Sequence, residues 1–196
     1  MLHLRRATEG GLFDGYAESF EQVHRLSARH PARPPRNEDP VARREYYNDP
    51  QAPAPNSIVV ATSAVVIDDA GRILLQRRTD SGNWALPGGG MEMNESLADS
   101  VIREVKEETG LDVEVTGLVG TYTDPRHIIA YTDGEVRRQF NICYTARVTG
   151  GQLAISDEST ELRFIDPAEL DNIPMHHTQR LRVGHFLEGR DKPYLG

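Results

Sequence analysis

The sequence predicts an α/β protein in which a few helices cover a mixed sheet, preceded by an N-terminal extension that is part helix and part proline-rich linker. Three observations carry that expectation. Runs of β-branched and other apolar residues recur from Ser57 onward, from "SIVVATSAVVI" to "ELRFID", and such runs bounded by turn residues read as strands. One stretch among them, "SLADSVIREVKEETG", places Leu97, Val101 and Val105 at helical spacing, the pattern of an amphipathic helix. Prolines gather earlier, in "HPARPPRNEDP" and "NDPQAPAPN", where they block continuous helix and favour extended or turn backbone. Strands with a few interspersed helices form a layered sandwich.

In chain order, residues 1–56 form the extension and residues 57–196 the domain. Within the extension "DGYAESFEQVHRL" has Tyr16, Phe20, Val23 and Leu26 near helical spacing, which predicts one amphipathic helix. A lone helix of that length is marginal in water, so its apolar stripe needs a partner surface, either on the domain or on a second subunit in a homodimer. From Ser57, "SIVVATSAVVI" is a strand, "DDAG" a turn and "RILLQRR" a second strand, together a β-hairpin. "NWALP" is a short strand entering Gly88, Gly89 and Gly90, where backbone can turn sharply or approach a ligand. The helix follows, capped by Asn94 or Ser96 and stopped at Thr109-Gly110. "DVEVTGLVGTYTD", "QFNICYTARVTG" and "ELRFID" are strands, and "HHTQRLRVGHFLEG" is a final helix.

A chain of 196 residues suits one domain plus an extension, given roughly 150 residues per domain. With 27% charged and 38% hydrophobic residues and a net charge of −8, it is a poor non-specific ligand for nucleic acid or an anionic membrane. An anionic substrate would need a local positive centre. The single cysteine, Cys143, cannot close an internal disulfide and fits a reducing compartment, buried as a small apolar residue. The most apolar run, Ile58 to Ile67, is about half the roughly 20 residues a membrane helix needs. The opening "MLHLRRATEGG" lacks the apolar stretch of a secretory signal. The expected location is the cytoplasm.

The stretch from Gly89 to Leu111 holds five glutamates in 23 residues. Like charges at i and i+4 cost a helix a few tenths of a kcal/mol, so this density asks for a compensating charge. Glu104, Glu107 and Glu108 stand at i, i+3 and i+4 on one face. Three carboxylates on a shared face offer hard oxygen ligands of the kind Mg²⁺ or Mn²⁺ prefers; the plain alternative is a solvated acidic face.

Read by spacing, Gly89, five residues, Glu95, seven residues, then Arg103-Glu104-Val105-x-Glu107-Glu108-x-Gly110-Leu111 fills all nine fixed positions of the Nudix box. The chain resembles the Nudix hydrolases over roughly Ser57 to Ile165. The resemblance implies an α/β/α sandwich that uses Mg²⁺ or Mn²⁺ to hydrolyse a nucleoside diphosphate linked to another moiety. It implies Glu104, Glu107 and Glu108 as metal ligands and Glu95 with Arg103 as the pair that orders the metal face, against an ordinary surface ion pair. It offers the Gly89 carbonyl as a further ligand, against a tight turn only. Family members often add a glutamate from a distant loop; "SDESTE" offers Glu158 first and Glu161 second, against a solvated loop. Arg126, His127, Arg137 and Arg138 follow the catalytic helix, where the family builds its substrate pocket, and Arg78 ends the second strand. An arginine at such a place can grip phosphate bidentately, while turn chemistry around "TDGE" alone explains several of these charges. Trp84, Tyr122 and Tyr131 are base-stacking or core residues. His176 and His177, adjacent on a helix, point about 100° apart and make a poor pair for one metal. A nucleotide sugar such as ADP-ribose is the first substrate expected. The enzymatic alternative is a non-standard nucleoside triphosphate, and the non-enzymatic one a nucleotide-binding regulatory module.

Overall fold

Alternation along two central strands decides the layering in the computed structural model, which describes residues 43–196. The elements are β1 (Arg43–Tyr47), β2 (Ser57–Ile67), β3 (Ile73–Arg78), β4 (Trp84–Ala85), α1 (Leu97–Thr109), β5 (Leu111–Tyr122), β6 (His127–Tyr131), β7 (Val136–Gly151), β8 (Ser159–Ile165), a short 3₁₀ helix (Pro167–Asn172), α2 (His177–Leu187) and β9 (Tyr194–Leu195). On β2 and β3, Val65, Ile73 and Leu75 enter one core together with Cys143 and with Val183 of α2. Their neighbours Ala64, Val66 and Leu74 enter a second core with Val101 and Val105 of α1. Successive side chains of a strand point to opposite faces, so the two helices cover opposite faces and the sandwich is α/β/α. Each fully buried valine or leucine contributes about 1.5–3 kcal/mol, enough to pin α1 by its apolar stripe.

The sheet runs β1-β6-β7-β2-β3-β4, with β5 beside β7, β8 beside β3 and β9 beside β5. It is mixed because β2 lies parallel to β7, from Ser57 opposite Arg137 to Ile67 opposite Arg147, while β5 lies antiparallel to β7. The expected β2–β3 hairpin exists only at its turn, where Ile67 faces Ile73. Beyond that point β3 pairs with β8, from Ile73 opposite Ile165 to Arg78 opposite Ser159. Partners distant in sequence outcompete the local one.

Strand β1 pairs antiparallel with β6, Arg43 opposite Tyr131 and Tyr47 opposite His127. It falls within the residues the sequence reading gave to the extension, because "RREYY" carries no apolar alternation and acquires its strand geometry from the edge of β6. The amphipathic helix expected around Tyr16 to Leu26 lies outside the described residues. None of the described helices is long and apolar enough to cross a membrane.

Both ends of α1 are fixed by local chemistry. The Ser96 hydroxyl accepts from Asp99 N–H at 3.2 Å while the Asp99 carboxylate accepts from Ser96 N–H at 3.3 Å, a capping box that satisfies orphan donors. At the other end Gly110 takes φ +75° and returns its N–H to Lys106 O, a left-handed stop that glycine adopts without Cβ strain.

Candidate active site

Helix α1 buries Val101 and Val105 completely and so holds Glu104 against Gly89 and Glu108 against Gly88. Glu108 is 5% exposed. One of its oxygens, Oε2, accepts from Gln76 Nε2 at 2.7 Å and from Gly88 N–H at 2.7 Å. Gln76, on β3, is itself fixed by the Ser159 hydroxyl, which donates to its Oε1. Burial pushes the Glu108 carboxyl up to about 7 against those two donors, and the charges of Glu104 and Glu158 push the same way. Burial also raises Glu104, opposed by Arg103 and assisted by Glu107 and Glu158. The loop carboxylate Glu158 is therefore within electrostatic reach of two box glutamates.

Gly89 lies against Glu104: a Cβ at that residue would stand 2.6 Å from the Glu104 carboxyl carbon. The Gly89 carbonyl accepts from Thr62 N–H at 2.9 Å, which leaves it one lone pair. Glu107 is the most open of the three, its side chain 59% exposed beside Arg103.

Arg103 organises this face with five hydrogen bonds. Nε and Nη2 reach Glu95 at 2.9 and 2.7 Å, Nη1 reaches Glu104 at 2.8 Å and Glu107 at 3.1 Å, and Nη2 reaches the Gly90 carbonyl at 3.1 Å. A guanidinium has five N–H donors, so none is left over. Held by those bonds despite some burial, Glu95 sits at about 2, and it also accepts Glu92 N–H at 2.7 Å. Glu92 thus meets the site through its backbone.

Arginines stand near this face, each paired with a carboxylate. Arg78 holds Asp80 through Nε and Nη2 at 3.0 and 2.9 Å. Burial lowers its pKa, but Asp80, Glu108 and Glu158 together raise it above the ordinary value. Arg43 is lowered by burial and by the charges of Arg78 and Arg137, against Asp80; of the three, Arg78 is the one that feels the charge of Glu108. Arg137 also pairs with Glu135 and lies 4.3 Å over the Tyr131 ring. Arg126 is placed elsewhere: it grips Asp124 at 2.9 and 2.7 Å and lines a cavity of about 320 Å³ with Tyr47, His127, His177 and Arg182. Trp84 and Tyr122 are buried in the core.

The donor set fits a hard divalent cation. Glu108 is buried and Glu104 partly buried; burial and neighbouring carboxylates disfavour the ionised form of each, and a cation between them would relieve both penalties. Sequence reasoning missed Gln76, Ser159 and the Gly88 N–H, the groups that orient Glu108. The one available signal was a glutamine inside the apolar run "RILLQRR", a polar side chain that burial obliges to find partners.

Comparison with known proteins agrees with this geometry. The model of the NUDIX domain matches residues 58–185. A MutT-like protein of Streptomyces ambofaciens is 37% identical over 146 residues, 74% of this chain and 87% of that protein. The ADP-ribose pyrophosphatase of Methanocaldococcus jannaschii is 32% identical over 130 residues, 63% of this chain and 70% of that one. Among solved structures, an ADP-ribose pyrophosphatase from Streptococcus suis superimposes with a TM-score of 0.51 at 25% identity, over 70% of this chain and 96% of its own. With its box assembled on α1 and the domain matched over most of its length, the chain belongs to the Nudix family and is a hydrolase.

Proposed function

We propose that this Nudix hydrolase is a Mg²⁺-dependent pyrophosphohydrolase acting on a nucleoside diphosphate linked to another moiety, ADP-ribose or a related nucleotide sugar first, with Mn²⁺ able to substitute. The observation that carries the reading is the carboxylate face locked by Arg103, with Arg78 in the field of Glu108 and Arg43 in the field of Arg78. The carboxylates suit a hard cation and the arginines the remaining charge of a diphosphate. The ADP-ribose pyrophosphatases among its relatives support the substrate class.

Glu104, Glu107 and Glu108 would hold the ion, with the free lone pair of the Gly89 carbonyl beside them. A divalent cation there supplies Lewis acidity toward a phosphoryl oxygen and lowers the pKa of a bound water. The chain's own residues do the positioning. Gln76 and Gly88 fix one oxygen of Glu108, and Arg103 fixes Glu104 and Glu107 relative to Glu95. Water forms a new P–O bond, the bridging P–O bond of the anhydride breaks, and a carboxylate takes the proton, leaving two phosphorylated products. Glu158, whose charge acts on both Glu104 and Glu108, is the candidate acceptor outside the box.

The MutT-like relative favours a second substrate class, a non-standard nucleoside triphosphate cleaved to its monophosphate and pyrophosphate. Product analysis separates the two. ADP-ribose, other nucleotide sugars and nucleoside triphosphates are incubated with the full chain and Mg²⁺. AMP plus ribose 5-phosphate from ADP-ribose supports the first reading, and pyrophosphate released from triphosphates alone replaces it with the second. Glu107→Gln should lower kcat by about 10²-fold or more with the fold intact, as expected when charge stabilisation present mainly in the transition state is removed. Full turnover in excess chelator would refute the metal-dependent reading.

A further inference from the structure

Three side chains from separate elements, none of them part of the box, converge beside the 320 Å³ cavity. Glu45 stands on β1, His127 begins β6, and His176 is the N-cap of α2. Tyr47 faces His127 and Glu45 faces Ile129 across the β1–β6 ladder, so Glu45 and His127 are diagonal neighbours on one face, within reach of long side chains. His127 Nε2 lies 3.0 Å from Glu45 Oε2, and His176 Nε2 lies 3.1 Å from the same oxygen. The other oxygen of Glu45 is engaged by Arg43, which fixes the carboxylate with Oε2 turned to the imidazoles.

We propose that Glu45, His127 and His176 form a second metal site that takes a borderline transition-metal ion, Zn²⁺ foremost. Two imidazoles and one carboxylate are a donor set for such an ion and a poor one for Mg²⁺. With ligand bonds of about 2.0–2.1 Å, neighbouring donors of a tetrahedral Zn²⁺ stand about 3.3–3.4 Å apart. The nitrogen–oxygen separations need to open by only a few tenths of an ångström. All three donor atoms already lie within 4.8 Å of one another.

The surroundings prepare the histidines to act as ligands. Burial, more than neighbouring positive charge, pushes both His127 and His176 down to about 4, so at neutral pH the rings are uncharged and hold a lone pair for a metal. His176 Nδ1 lies 2.9 Å from Thr178 Oγ1. With Nε2 on the metal, Nδ1–H donates to that hydroxyl, the usual way a partner fixes tautomer and ring orientation.

His127 also lines the cavity, together with Arg182, which is 6% exposed and whose Nε has no hydrogen-bond partner among the described residues. Three protein ligands leave a position for water or an anionic ligand, and the cavity beside His127 with its buried guanidinium has room for one.

The test uses the full chain, stripped with chelator, saturated with Mg²⁺ to fill the acidic face, and titrated with Zn²⁺ by calorimetry and with Co²⁺ by visible absorption. One Zn²⁺ per chain and the intense visible bands of four-coordinate Co²⁺ are expected. Losing only a hydrogen-bond partner of a metal ligand typically weakens binding about 10–100-fold, so His176→Ala and Glu45→Gln should each weaken Zn²⁺ by at least tenfold. His176 is partly exposed, so its variant keeps the test open if His127→Ala fails to fold. The proposal is overturned if the stripped chain takes up no Zn²⁺, showing that the triad is only two hydrogen bonds to Glu45. It is also overturned if uptake survives His176→Ala and Glu45→Gln but is lost in Glu107→Gln. Because the readout is metal uptake, the outcome is independent of which nucleotide the box hydrolyses.

Discussion

Arg103 and Glu95 are joined by two parallel hydrogen bonds, Nε to Oε2 at 2.9 Å and Nη2 to Oε1 at 2.7 Å. The fork leaves Nη1 free to reach Glu104 and Glu107, so Glu95 acts on the metal face only through Arg103. Arg103→Ala should weaken Mg²⁺ affinity, and Glu95→Ala should cost little more in that background, because both remove the same interaction. Titrating Mg²⁺ into the two single variants and the double variant measures this. Fully additive losses would contradict the pairing.

The same fork governs acid stability. Glu95 sits at about 2 against an ordinary 4.5. As pH falls below 4.5 the unfolded chain binds that proton while the folded chain refuses it until about 2. The stability it contributes is therefore complete above 4.5 and disappears between 4.5 and 2. Arg103→Ala should raise the Glu95 pKa and flatten the decline. Urea unfolding of metal-free protein at several pH values in that window should show a shallower slope for the variant than for the wild type; equal slopes would remove Arg103 as the cause.

Gly88 and Gly89 are adjacent but fail in different ways when given a side chain. At Gly88, with φ +147°, a Cβ would stand 2.2 Å from the Thr62 carbonyl oxygen and 2.6 Å from Ser63 Cα, and that strand backbone cannot yield. At Gly89 the obstacle is the Glu104 carboxylate at 2.6 Å, the movable end of a long side chain. Gly88→Ala should lower thermal stability by several kcal/mol, as overpacking combined with a strained backbone does. Gly89→Ala should unfold near the wild-type temperature yet lose about tenfold or more in kcat, since Glu104 is displaced. Equal melting losses in both would show that Glu104 cannot move aside.

What could be read from the sequence is what short-range chemistry decides. Ser96, Gly110 and the Val101–Val105 stripe define α1 within its own residues, and the i, i+3, i+4 spacing alone puts three carboxylates on one face. The sheet is different: β2 finds β7, and β3 finds β8, over long separations, and no local pattern announces either partner. Cavity residues show the same limit. Arg126 is paired with Asp124, as Arg78 is with Asp80, and it lines the 320 Å³ cavity, a placement that no local pattern announces. His176 looked unsuited to metal beside His177, and its relevant neighbour, His127, arrives on β6 through the register with β1.

That register yields the last expectation. β1 covers the β6 edge through five residues, Tyr47 donates its hydroxyl to Asp124 at 3.3 Å, and Asn56 clamps the β6–β7 hairpin through Gly134 O and Val136 N, each at 3.0 Å. Two shortened chains, one starting at residue 43 and one at residue 57, differ by that strand and that clamp. At about 0.5–1.5 kcal/mol net per hydrogen bond, the difference should be on the order of 2–5 kcal/mol. For a domain of this size that corresponds to a melting temperature about 5–15 °C lower in the chain starting at 57. The exposed β6 edge should also promote self-association, visible by light scattering. Mg²⁺ affinity should match in the two, because the residues that hold Glu104, Glu107 and Glu108 all follow Ser57. Equal melting temperatures would show that β1 contributes nothing to the sheet it joins.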